Sequence, residues 1–264
     1  MNAPGPTPEQ VLSETIAEEA QRLQATAGAR SLTLRLTGSL AVKVHSGQHA
    51  HLLAQLGRRP YRDVDFFGLS KEQRGLERLF ESLGYVGDVQ MKHAQEWGVK
   101  RLIYEHPETS VKVDVFMDEL VMAHTIDFKH RLGLDEPTVC LSDLLLSKLQ
   151  IHEITANDLI DMTVLIAEHD LGQGDRERID VERITDTLRN DWGFYYTASE
   201  NLKKVEGSLD GYSNLPGNIR DTVRARLHNL ADQIESAPKT MKWKLRARVG
   251  TRAKWYEDVE EVKR

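Results

Sequence analysis

Disulfides, membrane spans and zinc-binding patterns are all missing from this sequence, and each absence narrows what the chain can be. A single cysteine, Cys140, has no partner for an intramolecular disulfide, so a reducing compartment is expected. No stretch approaches the roughly 18 consecutive apolar residues that a membrane span needs. The opening segment MNAPGPTPEQ carries no apolar h-region of the kind that marks a secretory signal. A soluble, cytoplasmic protein with no membrane partner is therefore expected. His45, His49 and His51 match no zinc-ligand spacing and have no cysteine nearby, so a polar loop is expected around them. His152-Glu153 begins like the metalloprotease motif HExxH, but its fifth position is Ala156 and the motif is absent. There is no internal repeat and no low-complexity tract.

What is present suits a globular fold. The chain has 264 residues, 40% of them apolar, enough to core one large domain or two modest ones. The net charge of −6 argues against bulk coating of nucleic acid, yet the charge is uneven. From Lys239 through Lys242, Lys244, Arg246, Arg248 and Arg252 to Lys254 no acidic residue intervenes. Trp243, Trp255 and Tyr256 are interleaved with these cations. Such a patch suits contact with an RNA backbone and stacking on its bases. It equally suits a helical cap whose tryptophans dock on the core while the lysines stay solvated.

Periodicity divides the chain near residues 134–138. Residues 1–7 are Pro/Gly-rich and expected to be loose. Residues 8–27 place Val11, Ile16, Ala20 and Leu23 at helical spacing, and Gly28 ends that helix. SLTLRLT alternates, with Leu32, Leu34 and Leu36 on one face and Thr33, Arg35 and Thr37 on the other, so 31–37 is expected as a strand. Gly38-Ser39 follows, then LAVKV as the opening of a helix. A polar, His-rich segment (45–60) leads to a strand at 61–67. Ser70, with Glu72 and Gln73 behind it, has the look of a cap opening a helix over 70–83. Strands are expected near 85–90, 99–104 and 111–117. Beyond Pro137, helices are expected over 142–151, 155–169, 179–190, 194–206, 216–235 and 240–260. The fifth carries the apolar stripe Ile219, Val223, Leu227, Leu230 and Ile234. The fold class expected is α/β (α+β), a mixed sheet over residues 1–135 followed by an all-helical domain over 136–264.

Three aspartates stand out against this frame. Asp63 and Asp65 lie two apart in a strand and leave the same face, while Val64 and Phe66 leave the other. Asp114 sits in VKVDVFM opposite the apolar set Val111, Val113 and Val115. If the two strands are neighbours, three carboxylates converge on one spot of a sheet. They repel one another, so without a cation at least one would take up a proton or swing away. Mg2+ (or Mn2+) resolves this with hard oxygen ligands and retained waters for substrate phosphates. Two such ions can clamp an in-line displacement at phosphorus. Gly38 and Ser39 add a turn whose amides and hydroxyl can donate to phosphate oxygens. Arg58, Arg59 and Arg62 precede the acids, and Arg101 and Lys112 lie on neighbouring strands. Any of them could neutralise a triphosphate or the acids themselves, with Lys112 and Arg62 expected nearest the pocket.

The order Gly38-Ser39, Asp63-Val64-Asp65, Asp114 resembles the nucleotidyltransferase (polymerase-β-like) superfamily. The segment LSDLLLSKLQIHEITANDLIDMTVL is similar to the region after the palm in AbiEii-like nucleotidyltransferases, the toxin side of certain bacterial toxin–antitoxin and abortive-infection pairs. The resemblance covers roughly residues 30–170. It implies a nucleotidyltransferase palm over 1–135 and transfer of a nucleotide from an NTP to an acceptor. By that likeness Asp63, Asp65 and Asp114 would be the catalytic, metal-binding acids. Gly38 and Ser39 would hold the triphosphate of ATP or another NTP. Lys148 and Asp158, with Asp161 beside them, would support the nucleotide. The acceptor could be an RNA such as tRNA, a protein hydroxyl or a small molecule such as an aminoglycoside, and an antitoxin protein would be the partner of a toxin. Two features depart from the pattern. The 23 residues between Ser39 and Asp63 are more than is usual, so HSGQHAHLLAQLGRRP would loop out beside the site. Asn157 stands where the family commonly has a basic residue. Both favour the alternative, a non-catalytic nucleotide- or partner-binding module that keeps the fold. From the residues alone, Lys148 also reads as a snorkelling lysine, and Asp158 as a helix cap.

Overall fold

A computed structural model of the chain describes residues 8–96, 98–174 and 177–259, without the side chains of 8–11, 94 and 96. Residues 1–7, expected to be loose, and residue 260, the expected end of the last helix, lie outside the described residues. The elements in order are α1 (Pro8–Ala29), β1 (Leu34–Thr37), α2 (Gly38–His45), α3 (Ala50–Gln55), β2 (Asp63–Gly68), α4 (Gln73–Ser82), β3 (Val86–Gly87), α5 (Val89–Glu96), β4 (Arg101–Glu105) and β5 (Lys112–Met117). Then come β6 (Glu119–Val121), β7 (Thr125–Asp127), α6 (Leu141–Leu149), α7 (Ala156–Glu168), β8 (Asp170–Gly172), β9 (Arg178–Asp180), α8 (Val181–Leu188), α9 (Trp192–Ser208), α10 (Gly217–Ser236) and α11 (Met241–Val249).

The chain forms two compact units that interleave in sequence. One comprises residues 1–41, 59–119 and 127–139; the other comprises Val42–Arg58, Leu120–Ile126 and Cys140–Arg264. Among the described residues no helix is long and apolar enough to cross a membrane.

The first unit is a five-stranded mixed sheet in the order β1-β2-β5-β4-β3, with β2 and β5 parallel and the other pairs antiparallel. Alternation decides its faces. Leu34, Leu36, Val64, Phe66, Val113, Val115, Leu102 and Tyr104 share one face and are buried. The apolar stripe of α1 (Ile16, Ala20, Leu23) and that of α4 (Leu76, Leu79, Phe80) complete this core. Phe80 stacks on Tyr104 with centroids 4.6 Å apart. Each such buried side chain contributes about 1.5–3 kcal/mol by leaving water. The outer edge of β1 does not stay open: Leu36 bonds through its amide to the Pro137 carbonyl and through its carbonyl to the Val139 amide, both at 3.0 Å. This covers an edge that would otherwise pair with other chains.

The second unit is helical, with a short parallel pair, β8 and β9, added to the expected helices. Residues 160–167 of α7 are buried without interruption, the signature of a central helix. Its start is fixed by a capping box in which the Thr155 hydroxyl accepts from the Asp158 amide and the Asp158 carboxylate accepts from the Thr155 amide. On α10 the expected stripe buries Val223, Leu227, Leu230 and Ile234, while Ile219 stays half-exposed.

Some expectations need correction. The segment 45–60 is no polar loop throughout: it forms α3, anchored by buried Leu52 and Leu53. Two leucines suffice to seat one short turn of helix against a core, however polar its flanks. Ser70 does not cap a helix. Glu72 instead accepts the Thr33 amide at 2.6 Å, and a single 3-10 turn precedes α4. The last helix stops at Val249 because Gly250 takes φ +61. Beyond it Trp255 docks on α9, donating from Nε1 to the Thr197 hydroxyl at 3.2 Å.

Candidate active site

The other face of the sheet, which also buries Phe67 and Phe116, carries the three aspartates. Parallel pairing of β2 with β5 sets Asp65 directly beside Asp114, and Asp63 beside Lys112. Antiparallel pairing of β1 with β2 sets Thr37 beside Asp65. The acids therefore share a face by register and not merely by phase. Asp63 and Asp65 are half-buried, whereas Asp114 is 2% exposed.

Gly38 closes against this face. The chain leaves β1 at Thr37 and turns into α2 through Gly38 at φ +65, a conformation that costs glycine nothing and other residues strain. A Cβ on residue 38 would lie 2.6 Å from the Asp65 carboxylate oxygen. Glycine is thus required twice, for backbone angle and for room. Beside it the Thr37 hydroxyl is buried and has no hydrogen-bond partner. An unsatisfied buried hydroxyl is costly, and a water or a ligand would satisfy it. Its signal in the sequence is the last polar position of the alternating SLTLRLT.

Asp114 meets a cation from its own sheet. Arg101, on β4, grips both carboxylate oxygens, Nε donating to Oδ1 at 2.7 Å and Nη2 to Oδ2. The Arg101 guanidinium also lies 4.9 Å from the Phe116 ring centre. Burial works against the Arg101 charge, but its hydrogen bond to Asp114 and the charges of Asp114 and Asp65 hold its pKa above the ordinary value. Burial pushes the Asp114 carboxyl up, and Arg101 pulls the other way. Among the described residues no three His, Cys, Asp or Glu side chains lie close enough to hold a metal ion. Where the repulsion among these carboxylates called for a cation, the Arg101 guanidinium stands against Asp114. The donors that suit a hard divalent ion are the half-buried Asp63 and Asp65, with the Thr37 hydroxyl beside them. Lys112 lies 4.0 Å from Glu105.

Lys148, Asp158 and Asp161 come together within the helical unit. The Lys148 ammonium donates to Asp158 at 2.8 Å and to Asp161 at 2.9 Å. Arg58 donates through Nε to the other Asp161 oxygen at 2.9 Å. The Asp161 side chain is fully buried. Burial opposes the charge on Lys148, but Asp161 and Asp158 outweigh it and raise its pKa. Burial likewise opposes the Asp158 charge, and Lys148 and Thr155 lower its pKa against it. Lys148 does not snorkel, and Asp158 also serves the α7 capping box. In sequence Asp158 and Asp161 lacked an obvious lysine; their partner lies ten and 13 residues upstream.

No protein-family model matches the sequence, and no curated protein matches it. Among solved structures the chain is similar to the lincosamide antibiotic adenylyltransferase LnuA with lincomycin bound, at 18% identity and a TM-score of 0.40, over 56% of this chain and 94% of that one. It is similar to the antibiotic-resistance factor ANT(2'')-Ia at 14% identity and a TM-score of 0.35, over 89% and 94%. It is also similar to an antigenic nucleotidyltransferase-like protein from Paracoccidioides brasiliensis at 13% identity and a TM-score of 0.37, over 87% and 94%. What the site can do follows from its own residues.

Proposed function

We propose that this chain is a metal-dependent nucleotidyltransferase that moves a nucleotide from an NTP to an acceptor. The observation that carries this reading is the Gly38 turn pressed against Asp65, with Asp63 and Asp114 on the same sheet face. Asp63 and Asp65 would hold Mg2+ or Mn2+, which when bound supplies Lewis-acid activation of the phosphoryl group. The first amides of α2 and the Ser39 hydroxyl would orient the triphosphate, since a helix N-terminus offers unpaired N–H donors and a favourable dipole. The close approach that Gly38 permits lets those donors stand near the acids. Thr37 would offer its hydroxyl to the same ligand. The resemblance to AbiEii-like proteins extends the reading to a cytoplasmic toxin with an antitoxin partner.

The test is incorporation of α-phosphate-labelled NTP, with Mg2+ or Mn2+, into tRNA, protein or an aminoglycoside. Wild type should label one acceptor class, and Asp63→Ala should not. Growth arrest on expression, relieved by Asp65→Ala, would support the toxin assignment. Lys148→Met and Asp158→Asn belong in the same assay: loss of NTP binding with the fold retained would bring those residues into the site. A second reading, a non-catalytic nucleotide- or partner-binding module, is favoured by the Arg101 grip on Asp114. NTP binding that is indifferent to Mg2+, with no labelled product, would select it.

A further inference from the structure

We infer that Asp114 is a positioning residue for Arg101 and not a metal ligand, so that the face holds one divalent cation, at Asp63 and Asp65, and presents Arg101 as a permanent second positive group. This rests on the reading of the face as a metal centre.

Geometry carries it. The guanidinium meets the carboxylate fork to fork, an arrangement that uses both Asp114 oxygens and has directional strength that an ammonium lacks. The Asp114 side chain is 3% exposed and that of Arg101 18%. Two further contacts hold the arginine in place. Gln95 donates to its backbone carbonyl at 2.5 Å, and Phe116, its register partner across β4 and β5, lies under the guanidinium. For a metal to take the lone pairs of Asp114 that face β4, Arg101 would have to leave a buried carboxylate and a ring contact together. Asp65, by contrast, is half-buried beside a glycine that leaves room for its carboxylate. The two aspartates are register neighbours in unlike surroundings, one buried in a bidentate pair and one half-buried at the glycine turn. A fixed guanidinium beside a metal-binding pair can receive a phosphate oxygen without a second ion, which gives Arg101 a role toward the anionic end of the nucleotide.

Mn2+ alone is the probe, titrated into the full chain and followed by loss of the free-ion paramagnetic resonance signal. The expected result is one Mn2+ per chain. Asp65→Asn and Asp63→Asn should each weaken binding by about tenfold or more, and Asp114→Asn by no more than about twofold. The double variant Arg101→Gln/Asp114→Asn keeps a neutral hydrogen-bonded pair and should bind as wild type does, which guards against an unfolded single variant. Arg101→Gln alone releases the Asp114 carboxylate and should tighten binding or admit a second ion. Two Mn2+ per wild-type chain, or an Asp114→Asn loss equal to that of Asp65→Asn, would overturn the inference and leave the metal-centre reading intact. If wild type binds no Mn2+, and Asp63→Asn changes nothing, the metal-centre reading falls and takes this inference with it.

Discussion

Two places in this protein set aspartates against cations, and their surroundings differ. In the helical unit Asp161 has one oxygen on Lys148 and the other on Arg58, with the side chain fully buried. On the sheet, Asp63 and Asp65 are half-buried at the end of a tight glycine turn. The first arrangement pairs buried charges with one another inside one unit. The second holds its carboxylates half-buried, beside a residue with no Cβ. Aspartate spacing alone does not separate the two cases, for Asp158 and Asp161 are as regular on their helix as Asp63 and Asp65 are on their strand. Burial and partner geometry do.

The contrast makes predictions of graded size. Asp65→Ala should lower nucleotide transfer by about three orders of magnitude, since losing several kcal/mol of charge stabilisation costs tenfold per 1.36 kcal/mol. Its urea midpoint should move little, and a large shift there would place Asp65 with the structural acids. Lys148→Met should do the reverse. Stranding Asp158 and Asp161 without their lysine should cost about 3–5 kcal/mol in denaturant unfolding. A silent Lys148→Met would break the comparison from the other side. Gly38→Ala should cost about 1–3 kcal/mol through the strained φ and the clash with Asp65, and should impair NTP binding along with stability. Binding retained by that variant would separate the turn from the site.

A separate effect concerns pH. His124 is buried, stacked on Phe194 with centroids 5.0 Å apart, and bonded through Nε2 to the Thr197 hydroxyl at 2.9 Å. Burial, with a smaller push from His152, takes its pKa down to about 4. In the unfolded chain it titrates near about 6.5. Between those values the unfolded state binds the extra proton, so stability falls as pH drops from about 6.5 toward about 4. His124→Gln should flatten the melting temperature over that window relative to wild type. An unchanged slope would assign the acid sensitivity elsewhere.

Much of this is legible in the sequence. SLTLRLT and VKVDVFM alternate so regularly that their buried faces follow from a period of two, and β1 and β5 bury the leucines and valines that this period selects. The in-phase Asp63 and Asp65 follow from the same rule, as does the turn at Gly38. Other features were hidden for identifiable reasons. The grip of Arg101 on Asp114 depends on β4 pairing with β5 in one register, and a slip of one residue would send the arginine to the other face. In sequence Arg58 clusters with Arg59 and Arg62 before the acids, yet its guanidinium bonds Asp161, over a hundred residues away. Helix α3 is masked by the histidines and glutamines around Leu52 and Leu53, since two adjacent leucines carry no helical period.

By itself the sequence determined which residues could face a core and which could not, because side-chain direction along a strand or helix is local geometry. It thereby committed Asp63, Asp65 and Asp114 to the outer face of their strands. Only the tertiary structure decided which charges meet. Ion pairs form between segments whose distance along the chain is unconstrained, and strand register chose Arg101 for Asp114 while helix packing chose Lys148 and Arg58 for Asp161. One commitment is set by the backbone of a few residues, the other by the free energy of the whole fold.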